Sequence, residues 1–348
     1  MAENEDILVN VENGVGVVTL NRPKAINSLT HGMVTDLEKA LRNWADDDSV
    51  HAVLLRGAGE RGLCAGGDVV AIHHSAKAGG AEARAFWHDE YLLNAYIADY
   101  PKPYVALMDG IVMGGGVGVG AHGSVRVVTE KTKMGMPEVG IGFIPDVGGT
   151  YLLSRAPGRL GLHAALTGAP FSGADAIAMG FADVFVPHDQ LDDFASAVVA
   201  EGVEAAVSRY VVEPPASPLL AQQHWIDECY AGDTVADVVA ELRANDTGPA
   251  GDAADTIEGR SPIALAVTLE AVRRAAGLDT LKDVLRQEFR TSCAALKSHD
   301  LVEGIRALLV DKDRNPQWSP SELASCSRDL VDAYFVPAEP DLTFPEED

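Results

Sequence analysis

Basic side chains are scarce in this chain of 348 residues. Its 27 lysines and arginines stand against 52 aspartates and glutamates, which gives a formal net charge of −25. Because Lys and Arg contacts with phosphate supply much of the free energy of nucleic-acid binding, this balance disfavours nucleic acid as a partner. It equally disfavours an anionic membrane surface and is typical of a soluble protein. An anionic ligand would need local donors that offset the overall field.

Cysteine is also rare, with four residues at Cys64, Cys229, Cys293 and Cys326. Their spacing matches neither a zinc pattern nor a CxxC redox motif, so we expect no metal site. We expect reduced, mostly buried thiols and a cytoplasmic protein. The first six residues are acidic and polar, which is typical of neither a signal peptide nor a transit peptide.

Long apolar runs and several familiar motifs are missing. The most apolar stretch, residues 104–125, contains Asp109, His122 and many glycines, so we expect no membrane helix there. The glycine-rich segments fit neither the dinucleotide-binding fingerprint nor a P-loop. No GxSxG sequence is present to support a serine hydrolase. His73-His74 lies outside every motif described below and is expected at the surface.

The first half of the chain alternates strand and helix patterns, which predicts an α/β core. Apolar, β-branched runs predict strands at residues 15–20, 52–56, 104–108, 124–129 and 133–136. Thr30 is placed to cap a helix that runs to about Trp44. From about residue 155 the chain is predicted to be helical, with a proline-rich break at residues 213–218. The predicted helices are 174–180, 190–210, 221–229, 235–243, 262–276, 281–297 and 302–309, with a short one around 321–334.

Two glycine-rich segments each follow a predicted strand. The first is LCAGGD at residues 63–68, in which Asp68 is placed to cap the next helix. The second is MGGGVG at residues 113–118. Two such turns facing each other could present two backbone N–H groups to one carbonyl oxygen, the arrangement that acyl-transfer chemistry requires. Either segment alone is equally consistent with a tight turn that allows close packing.

A third segment, residues 136–150, places Glu138 and Asp146 in an otherwise apolar stretch rich in Gly and Pro. Carboxyl groups in such surroundings tend to have raised pKa values, which suits general acid–base chemistry. The alternative is helix capping, above all by Asp146, which precedes a helix expected to start near Gly148.

Together the three segments resemble the crotonase (enoyl-CoA hydratase/isomerase) superfamily, as does the opening LNRPKAINSL at residues 20–29. The resemblance covers about residues 7–318 and implies stacked ββα units followed by a helical C-terminal region. It implies a catalytic, acyl-CoA-binding core at residues 1–210 and the helical region at 211–348. It further implies an oxyanion hole formed by the amides of Gly67 and Gly115. The residues it assigns to the coenzyme A groove are Lys24, Ala25, Ala65, Gly66 and Asp68.

The departures from the hydratase pattern are informative. Hydratases use two glutamates, of which one corresponds to Glu138, whereas the position of the other is Gly118 here. Asp146 stands where hydratases have glycine. Addition of water across a double bond by the usual glutamate pair is therefore expected to be impaired.

The altered pattern resembles the 3-hydroxyisobutyryl-CoA hydrolase branch of the superfamily. Shared features include EYLLN at residues 90–94, in which Glu90 is assigned to substrate binding, and a C-terminal pattern running from Glu288-Phe289-Arg290 to Trp318. The resemblance implies hydrolysis of a short-chain 3-hydroxyacyl-CoA thioester, a step of valine catabolism, by Glu138 and Asp146. Coenzyme A is then part of the substrate, and no separate cofactor is expected.

Two other functions remain open from the sequence. One is a different crotonase activity, such as enoyl-CoA hydratase or isomerase, against which Gly118 argues. The other is a non-catalytic acyl-CoA-binding protein, against which the retained Glu138, Asp146 and both glycine turns argue. A homo-oligomer, trimeric or hexameric, is expected from the superfamily.

Overall fold

The strands form two sheets. The computed structural model describes residues 5–345. The strands are β1 (Ile7–Glu12), β2 (Val15–Leu20), β3 (Ala52–Gly57), β4 (Tyr104–Met108), β5 (Ile111–Met113), β6 (Val125–Val128), β7 (Lys133–Gly135), β8 (Phe171–Ser172) and β9 (Val184–Phe185). A six-stranded sheet has the order β1-β2-β3-β4-β6-β9, and a three-stranded sheet has the order β5-β7-β8. The β1–β2 and β7–β8 pairs are antiparallel, and the other pairs of these strands are parallel.

The helices account for most of the remaining chain. They are α1 (His31–Ala45), α2 (Val69–Lys77), α3 (Ala81–Ala98), α4 (Gly115–Gly120), α5 (Gly149–Arg155), α6 (Leu160–Thr167), α7 (Gly173–Ala178), α8 (Leu191–Glu201), α9 (Val203–Tyr210), α10 (Gln223–Cys229), α11 (Val235–Ala244), α12 (Gly248–Glu258), α13 (Pro262–Ala275), α14 (Leu281–Ala295), α15 (His299–Ile305) and α16 (Arg328–Asp332). Short 3-10 helices and one π-helix supplement them, at Pro23–Ala25, Glu138–Ile141, His188–Gln190, Leu220–Gln222, Leu323–Ser325, Ala333–Phe335 and, for the π-helix, Arg306–Val310. The mixed α/β class predicted from the sequence is confirmed.

The described residues form two compact units, each assembled from three stretches of the chain. The first contains the chain up to Gly67, Leu92–Gly135 and Phe171–Pro218, and both sheets belong to it. The second contains Asp68–Tyr91, Met136–Pro170 and the chain from Leu219 onwards, and is helical. The functional division between residues 1–210 and 211–348 stays a prediction.

The core of the first unit lies between its large sheet and the helices that follow β9. Apolar side chains of the central strands, among them Val17, Leu54 and Val105, are buried together with Phe194 and Val198 of α8. Transfer of such side chains out of water is the main favourable contribution to folding. The parallel strands of this sheet are buried along most of their length, which is why their sequences form continuous apolar runs.

Several element boundaries differ from the predicted ones for local reasons. The helix expected over 190–210 is two helices, separated at Gly202 with φ +95°. The helix expected over 302–309 ends at Ile305 and continues as the π-helix. Strand β1 was missed because five of its six residues are exposed, so no alternation marks it.

The prediction for His73 was wrong. This residue is only 4% exposed, whereas its neighbour His74 is exposed as expected. Helix α2 turns Ile72, His73 and Ser75 inward. All four cysteine thiols are free and three of them are buried, which agrees with the sequence-based expectation. No helix within residues 5–345 combines the length and the apolar character needed to cross a membrane.

Substitution of Gly116 by alanine should destabilise the first unit. A methyl group there would lie 2.6 Å from the carbonyl oxygen of Cys64, and we expect a loss of about 1–3 kcal/mol in the free energy of unfolding. Gly251 in α12 is the matched control, because a methyl group there meets no atom within 4 Å. Gly251→Ala should stabilise by about 0.5–1 kcal/mol. Urea denaturation measures both changes, and equal effects would contradict the close approach at Gly116.

Candidate active site

Glu138 and Asp146 lie in the second unit on a short irregular stretch. Glu138 begins the 3-10 helix Glu138–Ile141, directly after Pro137, and Asp146 precedes α5. The two side chains are 7% and 6% exposed. Both carboxyl groups are therefore shielded from water, the condition that raises the pKa of an acid.

The side chain of Asp146 is held by a tyrosine. The hydroxyl of Tyr91 donates to Asp146 Oδ2 at 2.7 Å, and Ser292 Oγ lies 2.8 Å from the same hydroxyl oxygen. Tyr91 directly follows Glu90 on α3, and Glu90 is only 2% exposed. The EYLLN segment singled out in the sequence thus supplies both a carboxyl group and a hydrogen-bond donor to the second unit.

The alternative interpretation of Asp146 as a helix cap is wrong. Helix α5 begins after Gly148, and no side chain at that capping position accepts a hydrogen bond. Instead, Glu288 of α14 accepts from Gly148 N at 2.6 Å, Thr150 N at 2.9 Å and Thr150 Oγ1 at 2.6 Å. A distant carboxyl group therefore satisfies Thr150 N, one of the first amides of α5 that have no partner within the helix, and Gly148 N just before it.

Glu288 was not identified from the sequence as a site residue, although a signal for it existed. The predicted helix 281–297 has an apolar face that contains Val284 and Leu285, and Glu288 and Ser292 fall on the same face at helical spacing. Polar residues on the apolar face of an amphipathic helix indicate buried partners. Both are fully buried in the structure.

Two buried carboxyl oxygens of this cluster, Glu90 Oε1 and Glu138 Oε2, have no hydrogen-bond partner in the described part of the chain. A buried polar atom without a partner costs about 1–3 kcal/mol, and such atoms are few in folded proteins. Uncompensated oxygens in a group of titratable residues are therefore typical of a site that completes its hydrogen bonding with a ligand.

Burial raises the pKa values of all four carboxyl groups. The pKa of Asp146 rises to about 7, although the Tyr91 hydrogen bond acts in the opposite direction. The pKa of Glu288 rises to about 8 against the lowering effect of its hydrogen bonds. The pKa values of Glu90 and Glu138 lie well above their usual range, through burial first and the charge of Asp146 second. The cluster therefore keeps protons near neutral pH.

The two glycine turns lie next to each other in the first unit. Gly66 has φ +106°, and a methyl group on it would lie 3.4 Å from Met113 O and 3.8 Å from Gly115 N. Gly115 is the first residue of α4, so its N–H has no acceptor within the helix. Gly67, next to Gly66, forms a parallel bridge with Leu29. The two turns are thus close neighbours, and their role as an oxyanion hole stays a prediction.

The residues assigned to the coenzyme A groove are also clustered in part. Lys24 and Ala25 are exposed in the 3-10 helix Pro23–Ala25, and Ala65 N donates to Ile26 O at 2.9 Å. Arg61 donates to the carbonyl oxygens of Pro23 and Lys24 at 2.6 Å each. Asp68, which belongs to the second unit, caps α2 by accepting from Ala71 N, as predicted.

The fold and these motifs define an enzyme class that handles acyl thioesters, and a comparison with known families identifies it. The family described as enoyl-CoA hydratase/isomerase matches residues 15–335. The chain belongs to this family, as the sequence motifs predicted.

Curated relatives over most of the chain carry one name. The zebrafish (Danio rerio) protein named 3-hydroxyisobutyryl-CoA hydrolase, mitochondrial, is 40% identical over 331 residues, covering 92% of this chain and 86% of the relative. The human protein of the same name is 36% identical over 342 residues, covering 95% and 88%. These similarities agree with the hydrolase branch inferred from Gly118 and Asp146.

Similar solved structures carry other names. The structure described as a carnitinyl-CoA dehydratase from Mycobacterium thermoresistibile is 72% identical, with a TM-score of 0.96 over 98% of this chain and 99% of that one. The structure described as an enoyl-CoA hydratase from Rhodobacter sphaeroides is 40% identical, with a TM-score of 0.93 over 97% and 100%. The stacked fold of the crotonases, expected from the sequence, is therefore confirmed.

The carboxyl cluster predicts a particular pH dependence of stability. Because the folded pKa values of Asp146 and Glu288 are raised, the stability linked to their protons is present below about pH 4 and is lost as the pH rises through about 7 and 8. Urea denaturation between pH 5 and pH 8.5 measures the loss. Asp146→Asn removes one such proton. The free energy of unfolding of this variant should therefore fall less steeply with pH than that of the wild type, by about 1.4 kcal/mol per pH unit between pH 5 and 6.5. Identical slopes for both proteins would contradict the raised pKa.

Proposed function

We propose that this chain hydrolyses a short-chain 3-hydroxyacyl-CoA thioester, most readily 3-hydroxyisobutyryl-CoA, to 3-hydroxyisobutyrate and coenzyme A. The observation that carries the proposal is the buried pair of Glu138 and Asp146, combined with glycine at position 118 inside α4. The names of the curated relatives support it. The reaction belongs to valine catabolism, and 3-hydroxypropionyl-CoA is a second substrate to test.

Glu138 is the group we assign to the chemical step. Its Oε2 has no hydrogen-bond partner within residues 5–345 and is thus available to an incoming group. It either activates a water molecule that attacks the thioester carbonyl carbon, or attacks that carbon itself to give a transient anhydride, which water then hydrolyses to free the acid and regenerate Glu138. The thiolate of coenzyme A leaves in either case and takes up a proton.

Asp146 is assigned to the substrate hydroxyl or to the water. One of its oxygens accepts from Tyr91, and the carboxyl group is buried next to other acids. A pKa near neutrality allows this group to pass a proton to the departing thiolate. Glu90, whose Oε1 has no hydrogen-bond partner within residues 5–345, is assigned to substrate binding.

The backbone supplies the remaining roles in this proposal. The amides of Gly67 and Gly115 donate to the thioester carbonyl oxygen, and each such donor is worth about 3–4 kcal/mol in related acyl chemistry. The loops at Lys24, Ala25, Ala65 and Gly66, with Asp68, bind coenzyme A. The bound coenzyme then positions the acyl carbon. We further propose a cytoplasmic location and a homo-oligomer.

Hydration or dehydration of an acyl-CoA is the second candidate function. The name of the 72%-identical solved structure favours it. Gly118 argues against it, because that position lacks the second carboxyl group of the hydratase pattern. Acyl-CoA binding without turnover is the third candidate.

A substrate panel distinguishes the three functions. We expect thiol release from 3-hydroxyisobutyryl-CoA at a rate well above that from crotonyl-CoA or carnitinyl-CoA, followed with a thiol reagent. Faster conversion of crotonyl-CoA or carnitinyl-CoA without thiol release would establish hydratase or dehydratase activity instead. Tight binding of all three with no product would support a binding protein.

Replacement of Glu138 should separate activity from stability. Glu138→Gln should lower kcat for thiol release by about 10²- to 10⁴-fold, because the attacking or proton-accepting group is lost. The melting temperature at pH 8 should stay equal or rise, since a buried carboxyl group with a raised pKa is removed. The exposed Glu204→Gln is the control and should leave both unchanged. Retained activity in Glu138→Gln would remove Glu138 from the catalytic step.

A further inference from the structure

We propose that Glu288 and Ser292, one helical turn apart on α14, are positioning residues for Asp146. The proposal rests on the function proposed above, because it assigns these residues to the same carboxyl group. Glu288 fixes the backbone that carries Asp146, and Ser292 fixes its side chain through Tyr91. Neither touches the substrate in this proposal.

The first set of contacts runs from Ser292 through Tyr91 to the Asp146 side chain. A tyrosine hydroxyl has a single hydrogen, and that of Tyr91 is given to Asp146 Oδ2 at 2.7 Å. The 2.8 Å contact between Tyr91 and Ser292 is therefore a donation from the serine. Burial keeps the pKa of Tyr91 well above its usual value, so that it remains a donor. Ser292 thus orients the phenol that orients Asp146.

The second contact set holds the backbone after Asp146. Val147 has φ +54° and Gly148 φ +78°, and Gly149 N donates back to Asp146 O at 2.6 Å. A left-handed conformation at a β-branched residue such as Val147 is strained and persists only where its surroundings impose it. The three donors at Gly148 and Thr150 that end on Glu288 supply that constraint.

Helix α14 is suited to this task because it is itself fixed at several points. Thr280 caps its first turn, and Arg286 and Arg290 bond to Leu342 O and the Asp341 carboxylate near the end of the described chain. Residues i and i+4 lie on the same side of a helix, so Glu288 and Ser292 act as one rigid pair. Support from a regular helix makes a site on an irregular segment more precise.

The charged groups around Asp146 determine how its pKa changes when the Tyr91 hydrogen bond is weakened. The titratable groups that interact with Asp146 are Glu90 and Tyr91 from α3, Glu138 from its 3-10 helix and Glu288 from α14. Every one is acidic. The hydrogen bond from Tyr91 lowers the pKa of Asp146 against burial. A weaker Tyr91 contact must therefore raise that pKa further.

The test compares Ser292→Ala with Thr291→Val. Thr291 is equally buried on α14, but its hydroxyl donates to the helix carbonyl of Glu288 rather than to Tyr91, so it is a control for loss of a buried hydroxyl. Ser292→Ala should lower kcat for thiol release by about tenfold with KM within about twofold, and should move the alkaline limb of kcat, where Asp146 loses its proton, to higher pH. Ser292→Thr, which keeps the hydroxyl, should restore both values. Thr291→Val should change neither.

Glu288→Gln tests whether the contacts of Glu288 with the backbone after Asp146 position that residue. The amide keeps the shape of the side chain but replaces one acceptor oxygen by a donor, which opposes the N–H groups of Gly148 and Thr150. We expect kcat to fall by about ten- to a hundredfold, because a displacement of about 1 Å in a reacting group has an effect of this size. An unchanged kcat in either Glu288→Gln or Ser292→Ala, or an equal loss in Thr291→Val, would overturn the proposal.

Failure of the proposed hydrolase activity can be distinguished from failure of the positioning role. If the wild type releases no thiol from any acyl-CoA, the function fails, and positioning is then judged without substrate. In that case urea denaturation of Ser292→Ala against pH should show the loss of stability extending to higher pH than in wild type, since the folded pKa of Asp146 is raised. An unshifted profile would overturn the positioning role on its own.

Discussion

The candidate site depends on the burial of several carboxyl groups with no positively charged side chain to pair with them. Glu90, Glu138, Asp146 and Glu288 are all buried, and none of them forms an ion pair within residues 5–345. An arginine or lysine among them would lower their pKa values and leave permanent charges. Neutral donors, namely a phenol, a hydroxyl and backbone amides, bond to Asp146 and Glu288, whose pKa values rise to about 7 and about 8. The cluster is thereby suited to accept and release protons at physiological pH.

This arrangement also explains why the second unit needs its C-terminal helices. The segment that carries Glu138 and Asp146 is short and irregular. The partners of the Asp146 side chain and of the amides of Gly148 and Thr150 come from α3 and α14, which are long and regular. The features that separate this chain from the hydratase pattern, an aspartate at position 146 and glycine at position 118, are thus accompanied by supports that lie far away in sequence.

The sequence predicts elements and site residues correctly where the signal lies in neighbouring residues. Strands with continuous apolar runs, the Thr30 and Asp68 caps and the apolar setting of Glu138 follow from neighbouring residues. Helix α3 was missed because Glu90 and Asn94 are buried on it, so that its apolar pattern is interrupted. The bond between Gly148 and Glu288 joins residues 140 positions apart, and no local pattern specifies such a pairing. The sequence left helix capping by Asp146 as an alternative for the same reason, since the actual donor to its side chain, Tyr91, lies 55 positions away.

Each compact unit draws on three separate stretches of the chain, and this interleaving has a consequence for how the protein can change over evolutionary time. A break of the chain anywhere between Asp68 and Pro218 would divide both units at once, since neither corresponds to a continuous block. Neither unit can therefore be exchanged as one continuous segment of a gene. The departures from the hydratase pattern at positions 118 and 146 are, by contrast, single substitutions within an intact chain.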